Sequence, residues 1–284
     1  MDTITLETVA DGVARLTFDR PHRLNAYTLR MCQEVVAAVE AYAVDDALRV
    51  LIVTGRGRGF CSGADIKAGA AAEDVIAGTK IIRGQSRMAS QRLLSRGAHR
   101  VCTAFRSVEK PVVAMVNGAA VSGGLAFALA ADYRIAGRSA RLGDASGNVG
   151  LFADEGGAWL IPRAMGVDRA LRMSWLGEIY PADRALELGL VSEVVDDEQL
   201  VDHTLEFARE LAARAPLAVA ITKTLMHDAA TSTFDDVLSR SAVWAMWNDE
   251  QPDVAEGLAA FKEGRSPRFT GRAVRHGASD GGPE

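Results

Sequence analysis

The sequence predicts an α/β fold with a helical C-terminal lobe, and three observations carry that expectation. Short β-rich runs alternate with helix-period segments up to about residue 197. Two of those runs, residues 50–54 and 111–116, are continuously apolar. From Glu198 onward nothing reads as a strand. Continuous apolar runs mark strands covered on both faces, as in parallel sheets, and strand–helix alternation implies right-handed crossovers.

The chain opens with β-rich runs at residues 4–8 and 13–18, joined at Asp11-Gly12, a hairpin turn pair. Pro21 ends the second run. Thr28 can cap a helix that runs to about Tyr42, with Leu29, Val35, Val36 and Val39 at helical spacing. Residues 50–54 form a buried strand that leaves into a glycine-rich loop. Residues 68–84, rich in Ala and Gly and weakly patterned, read as a mobile loop with some helix. Residues 85–108 read as one long helix stopped by Pro111. After the strand at 111–116, Asn117-Gly118 turns the chain toward a helix beginning near Gly123. Residues 133–136 and 191–195 are further strands. Helices at 198–213, 216–228, 233–247 and 250–264 complete the chain. The expected division is an α/β core of residues 1–197, a helical oligomerisation lobe of 198–270 and a disordered tail of 271–284.

Of the 284 residues 48% are hydrophobic and 24% charged, the balance of a soluble globular protein. The net charge of −5 offers no general attraction to nucleic acid or an anionic membrane. The Met1-Asp2-Thr3-Ile4 start has no secretory pattern, and the uncharged stretch 117–131 is rich in Gly and Ala, a buried segment rather than an anchor. Cys32, Cys61 and Cys102 form no C-x-x-C, so neither a disulfide framework nor a zinc site is expected, and a reducing cytoplasm is the simplest location. The five histidines have no metal-site spacing, and the methionines read as core gap-fillers.

Two segments carry candidate chemistry. Phe60-Cys61-Ser62-Gly63-Ala64-Asp65-Ile66 follows the strand at 50–54, and Gly63 allows a sharp turn that presents the next N–H outward. Asn117 to Leu125 (NGAAVSGGL) places small residues at a helix N-terminus, whose free N–H groups favour a developing negative charge. Gly55-Arg56-Gly57-Arg58-Gly59 lacks dinucleotide spacing, and Ser122 is not in G-x-S-x-G, which argues against a serine hydrolase.

Further stretches complete a pattern: Asp19-Arg20-Pro21 with Leu24-Asn25-Ala26, Gly156-Gly157 with Leu160 and Pro162-Arg163, Gly189-Leu190-Val191, and Pro267-Arg268-Phe269. In order and spacing, from about residue 4 to 271, the chain resembles the enoyl-CoA hydratase/isomerase (crotonase) superfamily. The resemblance implies a spiral of ββα units and an acyl-CoA thioester as substrate, with no metal or separate cofactor. It gives the Ala64 and Gly123 N–H groups the role of an oxyanion hole, where losing one donor costs ~3–4 kcal/mol of transition-state stabilisation. It sets Arg23, Leu24, Ala26, Ser62, Asp65 and Ile66 beside the CoA moiety, and Phe261 and Lys262 toward a neighbour's CoA in a homotrimer or dimer of trimers.

The acid–base positions depart from the hydratase pattern, because Ala126 and Ser146 stand where the resemblance would put two glutamates. Asp154 falls where some isomerases of the superfamily carry a proton-shuttling Asp, and Trp159 fits that subgroup. One carboxylate suffices for an allylic shift. The alternative use of Asp154 is to cap the helix beginning near Gly156. Glu155 and Asp144 are the other acid–base candidates. Double-bond isomerisation of an enoyl-CoA is the expected reaction. Hydration or hydrolysis through another carboxylate, and a non-catalytic acyl-CoA-binding subunit, are the alternatives.

Overall fold

The computed structural model describes residues 1–66, 74–76, 79–81 and 87–271. Packing divides the chain into two compact units, Met1–Arg209 and Glu210–Glu284.

In the first unit, β1 (Ile4–Ala10) and β2 (Val13–Phe18) form the expected hairpin, with Gly12 at φ +70° in the turn. The Thr28 hydroxyl caps α1 (Leu29–Val44) by accepting from the Met31 N–H at 3.2 Å. Met31, Val35, Val39 and Tyr42 are on its buried side. There follow β3 (Val50–Gly55), β4 (Gly59–Cys61), β5 (Asp74–Ile76), β6 (Thr79–Ile81), α2 (Arg87–Arg96) and α3 (Ala98–Ser107). Next come β7 (Val112–Val116), β8 (Ala119–Val121), α4 (Gly123–Ala130), β9 (Tyr133–Gly137), β10 (Arg141–Gly143), α5 (Gly157–Met165) and α6 (Val167–Leu176). β11 (Ile179–Pro181), α7 (Ala182–Glu187) and β12 (Glu193–Val195) follow, and the boundary after Arg209 falls within α8 (Leu200–Ala212).

Among the described residues the strands form one sheet in the order β1-β2-β3-β7-β9-β12 and a second in the order β11-β10-β8-β4, beside the β5-β6 hairpin. The larger sheet is parallel from β2 to β12, as the apolar runs require. Each round of the spiral gives one strand to each sheet and then a helix: β3-β4 precedes α2-α3, β7-β8 precedes α4, and β9-β10 precedes α5. Side-chain amides fix the corners between the sheets. Asn117 Nδ2 donates to the carbonyls of Gly55 at 2.7 Å and Gly57 at 2.8 Å. Buried Asn25 accepts from Arg20 N–H at 2.8 Å and donates to the carbonyls of Gly59 at 2.7 Å and Arg56 at 3.0 Å. Those bonds hold Leu24 and Asn25 at φ of 49° and 56°.

The sequence reading needs three corrections here. The second sheet was not anticipated, because its strands are three residues long and show no periodicity. The helix expected over 85–108 is two helices, broken at Gly97, where φ −112° and ψ −105° leave the helical region. Most of the loop expected at 68–84 lies outside the described residues, but Asp74–Ile76 and Thr79–Ile81 pair as antiparallel strands. The tail beyond Gly271 also lies outside them.

Helix α4 (GGLAFALA) is buried on every side, the signature of a helix running through a core. Its entry requires Gly124: a Cβ there would fall 1.8 Å from the Cys61 carbonyl oxygen, so helix and β4 meet backbone to backbone.

In the second unit, α9 (Pro216–Ala229), α10 (Phe234–Asp249) and α11 (Pro252–Glu263) follow the expected bounds closely. Thr233 and Asp236 form a reciprocal capping box at the start of α10. The Asp253 carboxylate accepts from the N–H groups of Thr270 at 2.8 Å and Gly271 at 2.9 Å. Met226 and Met246, expected in a core, are exposed, as are Phe234, Leu238, Trp244 and Trp247.

Gly124→Ala is expected to destabilise the fold by roughly 1–3 kcal/mol through overpacking against β4, read as a lower urea midpoint. An unchanged midpoint would rule out the close contact.

Candidate active site

The site grows from the two places where the spiral turns from β4 and from β8. After β4 the chain passes through Gly63, at φ +93°, and pairs with Tyr27: the Tyr27 N–H donates to the Gly63 carbonyl at 2.8 Å and the Asp65 N–H to the Tyr27 carbonyl at 3.0 Å. A Cβ on Gly63 would lie 3.1 Å from the Val121 carbonyl oxygen and 3.7 Å from the Gly123 nitrogen, so this loop lies against the start of α4. Ser122 enters α4 at φ 50° and ψ −114°, a strained conformation for a residue with a side chain. Its N–H donates to the Gly143 carbonyl at 2.9 Å, and its Oγ accepts from the Ala145 N–H and the Ser146 hydroxyl, both at 3.2 Å. Among the described residues neither the Ala64 nor the Gly123 N–H has a backbone acceptor. Two adjacent free donors, one at a helix N-terminus, form a receptive point for an oxyanion.

The carboxyls arrive on the loop before α5. Gly156 caps that helix at φ +116° with no side-chain cap bond, so Asp154 does not serve as its N-cap. Asp154 is half-buried, and its backbone carbonyl accepts from His99 Nε2 at 2.7 Å. Glu155 is only 6% exposed, and its Oε1 accepts from the Tyr27 hydroxyl at 3.0 Å. A Cβ on Gly123 would fall 2.8 Å from Glu155 Oε1 and 2.5 Å from the Tyr27 ring, so both side chains press on that residue. The Cys102 thiol donates to the Glu155 carbonyl at 3.3 Å. Burial first, then the negative charge of neighbouring Asp154, pushes the Glu155 carboxyl up to about 7. Burial, reinforced by Glu155, also raises the Tyr27 phenol well above its usual value. Burial pushes the Cys61 and Cys102 thiols up to about 12, which leaves neither as a nucleophile near neutrality.

Asp144 is fully buried; its Oδ1 accepts from the Ser146 N–H at 3.1 Å, and its Oδ2 has no partner among the described residues. Ala126 is sealed inside α4, and Ser146 is turned onto Ser122. Arg23, Leu24 and Ala26 lie alongside Ser62 to Ile66: the Ser62 N–H donates to the Leu24 carbonyl at 3.1 Å and its hydroxyl to the Arg23 carbonyl at 3.3 Å. Asp65 is engaged by Arg20 at 2.7 Å, Ala26 is buried, and Arg23, Leu24 and Ile66 are open to solvent. Phe261, 87% exposed, and Lys262 lie on α11 of the second unit. Trp159 is flanked by the guanidiniums of Arg106 at 4.5 Å and Arg163 at 3.7 Å. Among the described residues no group of three or more His, Cys, Asp or Glu could hold a metal ion, and no helix is long and apolar enough to cross a membrane.

Tyr27 and Ser122 escaped the sequence reading as site residues. Tyr27 meets Glu155 across 128 residues of chain, and no local pattern reports such a contact. The only signal at Ser122 was its place directly before Gly123-Gly124.

Two paired sheets wound from ββα units, followed by a strandless helical unit, define the crotonase fold. The enoyl-CoA hydratase/isomerase model matches residues 8–272, and the chain belongs to that family as an acyl-CoA enzyme. It is 34% identical over 267 residues to the 1,2-epoxyphenylacetyl-CoA isomerase of Escherichia coli K12, covering 94% of this chain and 98% of the relative. It is 32% identical over 270 residues to the (E)-benzylidenesuccinyl-CoA hydratase of Thauera aromatica, covering 94% and 99%. Among solved structures, the enoyl-CoA hydratase of Bacillus anthracis superposes with a TM-score of 0.87 at 28% identity, covering 95% of this chain and 100% of that one. The enoyl-CoA hydratase of Mycobacterium smegmatis does so with a TM-score of 0.85 at 28% identity, covering 95% and 99%.

The raised Glu155 carboxyl also makes stability depend on pH. The folded protein holds that proton more tightly than the unfolded chain, so its contribution is complete below the ordinary value of 4.5 and is lost as pH rises through about 7. Glu155→Gln should therefore match the parent protein near pH 4.5 and exceed it above pH 7, by up to about 3 kcal/mol. Urea unfolding across that range checks it; a gap that stays constant with pH would refute it.

Proposed function

We propose that the chain moves the double bond of an enoyl-CoA from the β,γ to the α,β position. Asp154 acts as base and then acid, and the Ala64 and Gly123 N–H groups hold the dienolate oxygen. The observation that carries this reading is half-buried Asp154 on the loop beside Glu155, whose own side chain presses on Gly123, while Ala126 and Ser146 bring no carboxylate to the hydratase positions. The thioester acidifies the α-proton and Asp154 removes it. The negative charge spreads to the carbonyl oxygen, where two fixed amides are worth more than mobile water. Returning the proton at the γ-carbon completes a reaction that neither adds nor loses water. Support also comes from the 34% identical E. coli relative, whose name is that of an isomerase.

Water addition is the second reading. It draws on the Thauera relative, named as a hydratase, and on Asp144, whose buried Oδ2 is unpartnered among the described residues. In that reading Asp144 or Glu155 would activate the water.

In the same proposal Arg23, Leu24, Ala26, Ser62, Asp65 and Ile66 form the wall beside the CoA. Three copies assemble through the helices of 198–270, where Phe261 and Lys262 serve a neighbour's CoA. The exposed Phe234, Leu238, Trp244 and Trp247 of α10 support assembly, since so large an apolar face calls for a partner.

Asp154→Asn is expected to lower isomerase kcat by roughly 100- to 10,000-fold while enoyl-CoA binding persists. Full turnover in that variant would end the assignment, and labelled solvent oxygen in the product would favour hydration. Trp247→Glu is expected to shift the assembly toward monomer in sedimentation velocity; an unchanged profile would exclude α10 from the contact.

A further inference from the structure

Tyr27 touches both halves of the amide pair, and the double-bond shift gives it no task. Its backbone belongs to the Ala64 half. The Tyr27 N–H donates to the Gly63 carbonyl at 2.8 Å and its carbonyl accepts from the Asp65 N–H at 3.0 Å, so both neighbours of Ala64 are tied to it. Its side chain belongs to the Gly123 half. Ring atom Cε1 lies 2.5 Å from where a Gly123 Cβ would stand, and the ring packs on Phe127 with centroids 5.2 Å apart. Gly123 and Phe127 are one turn apart on the same face of α4, so the ring lies along the first turn of that helix. The hydroxyl is tethered to Glu155 Oε1 at 3.0 Å, and that oxygen lies 2.8 Å from the same Cβ point.

We propose that Tyr27 is the spacer of the oxyanion hole: its backbone fixes the Ala64 N–H, its tethered ring fixes the Gly123 N–H, and so it sets the separation of the two donors. Tyr27 is thus a positioning residue, and the inference rests on the reading of those two N–H groups as the oxyanion hole for the thioester. An N–H···O bond is good only between about 2.7 and 3.2 Å, so two donors share one oxygen only when their separation is held closely. The donors here follow different strands, β4 and β8, and Gly123 has no side chain with which to lock itself. Ser122 also enters α4 under backbone strain, which persists only where the surroundings over-determine it. The Tyr27 ring and the Glu155 carboxyl are the wall on the Gly123 side. Both residues are buried, so water does not compete for the tether between them.

Substitution can separate the two halves of the spacer. Any residue but proline in place of Tyr27 keeps the N–H and carbonyl that pair with Gly63 and Asp65. Arg20 holds the same loop, bridging Asp65 at 2.7 Å and donating to the Ala26 carbonyl. Side-chain variants of Tyr27 therefore leave the Ala64 donor in place and free only the Gly123 donor. The loss falls on the developing oxyanion, which needs both bonds, more than on the bound substrate, so kcat should fall while KM changes little.

The experiment uses the full-length protein and a saturated acyl-CoA with an isotope-labelled thioester carbonyl, a probe that has no double bond to move. Isotope-edited infrared spectra compare the carbonyl stretch of the bound and free probe, and kcat and KM are measured with a β,γ-enoyl-CoA. In the parent protein the bound carbonyl should give one narrow band shifted to lower frequency. Tyr27→Leu should lose most of that shift, broaden the band and lose roughly 100-fold in kcat, with KM within about threefold of the parent. Tyr27→Phe keeps the ring without its tether and should fall between them, with a broadened band and a loss of roughly fivefold in kcat. Tyr42→Leu is the matched control. Tyr42 is also buried, and its hydroxyl donates to the Pro111 carbonyl at 3.0 Å, outside the site. That variant should lower the urea midpoint and leave both the band and kcat as they are. If Tyr42→Leu loses the shift as well, general loosening rather than spacing is responsible and the inference is overturned. A Tyr27→Leu band and kcat equal to the parent's also overturn it. Should that variant not fold, Tyr27→Phe matching the parent in both readouts does the same. An unshifted band in the parent protein would instead overturn the oxyanion hole on which the inference rests.

Discussion

The N-terminus of α4 meets β4 with no side chain between them. A Cβ on Gly124 would sit 1.8 Å from the Cys61 carbonyl oxygen, a contact only glycine permits. Because β4 and β8 are neighbours in the second sheet, this contact sets where the loop after Cys61 and the helix after Val121 can lie. The free N–H groups of Ala64 and Gly123 follow from it. So does the bare surface of Gly123, on which Tyr27 and Glu155 press. The strained backbone of Ser122 is tolerated there because three hydrogen bonds tie it to the β10 loop.

The larger sheet was legible in the sequence because its strands are buried on both faces. Residues 50–54 and 111–116 announce themselves as unbroken apolar runs, and the N-terminal hairpin declares its turn. The helices of the second unit, with turn residues and prolines at their ends, were legible to within a few residues. The second sheet was not. Three-residue strands give no period, and β8 is disguised by Ala119 and Ala120, residues without strand preference. Gly97 was visible but ambiguous, since a single glycine can sit inside a helix or end one, and only the approach of the Leu93 carbonyl, 2.6 Å from where its Cβ would be, decides.

The amide pair of the site could be read from glycine-rich segments at strand ends, since backbone donors depend on local conformation and small residues advertise that. The carboxyl arrangement could not. Asp154 and Glu155 are adjacent in sequence, and nothing local says which one is buried. That depends on α5 beginning only at Gly157, on Tyr27 arriving from the far end of the first unit, and on α3 pinning both carbonyls of the pair. Each is a long-range contact, invisible to motif and periodicity alike.

A carboxyl pair on one loop has different chemical capacity from two carboxylates brought in on α4 and the β10 loop. Two separated carboxylates can hold a water between them and split its protons. A buried carboxyl next to a half-buried one instead makes a second negative charge costly in a small, partly dry volume. Such a pair can exchange one proton with a substrate carbon and return it with little rearrangement. Ser146, turned onto Ser122, and Ala126, enclosed in α4, bring no second carboxylate with which to position water.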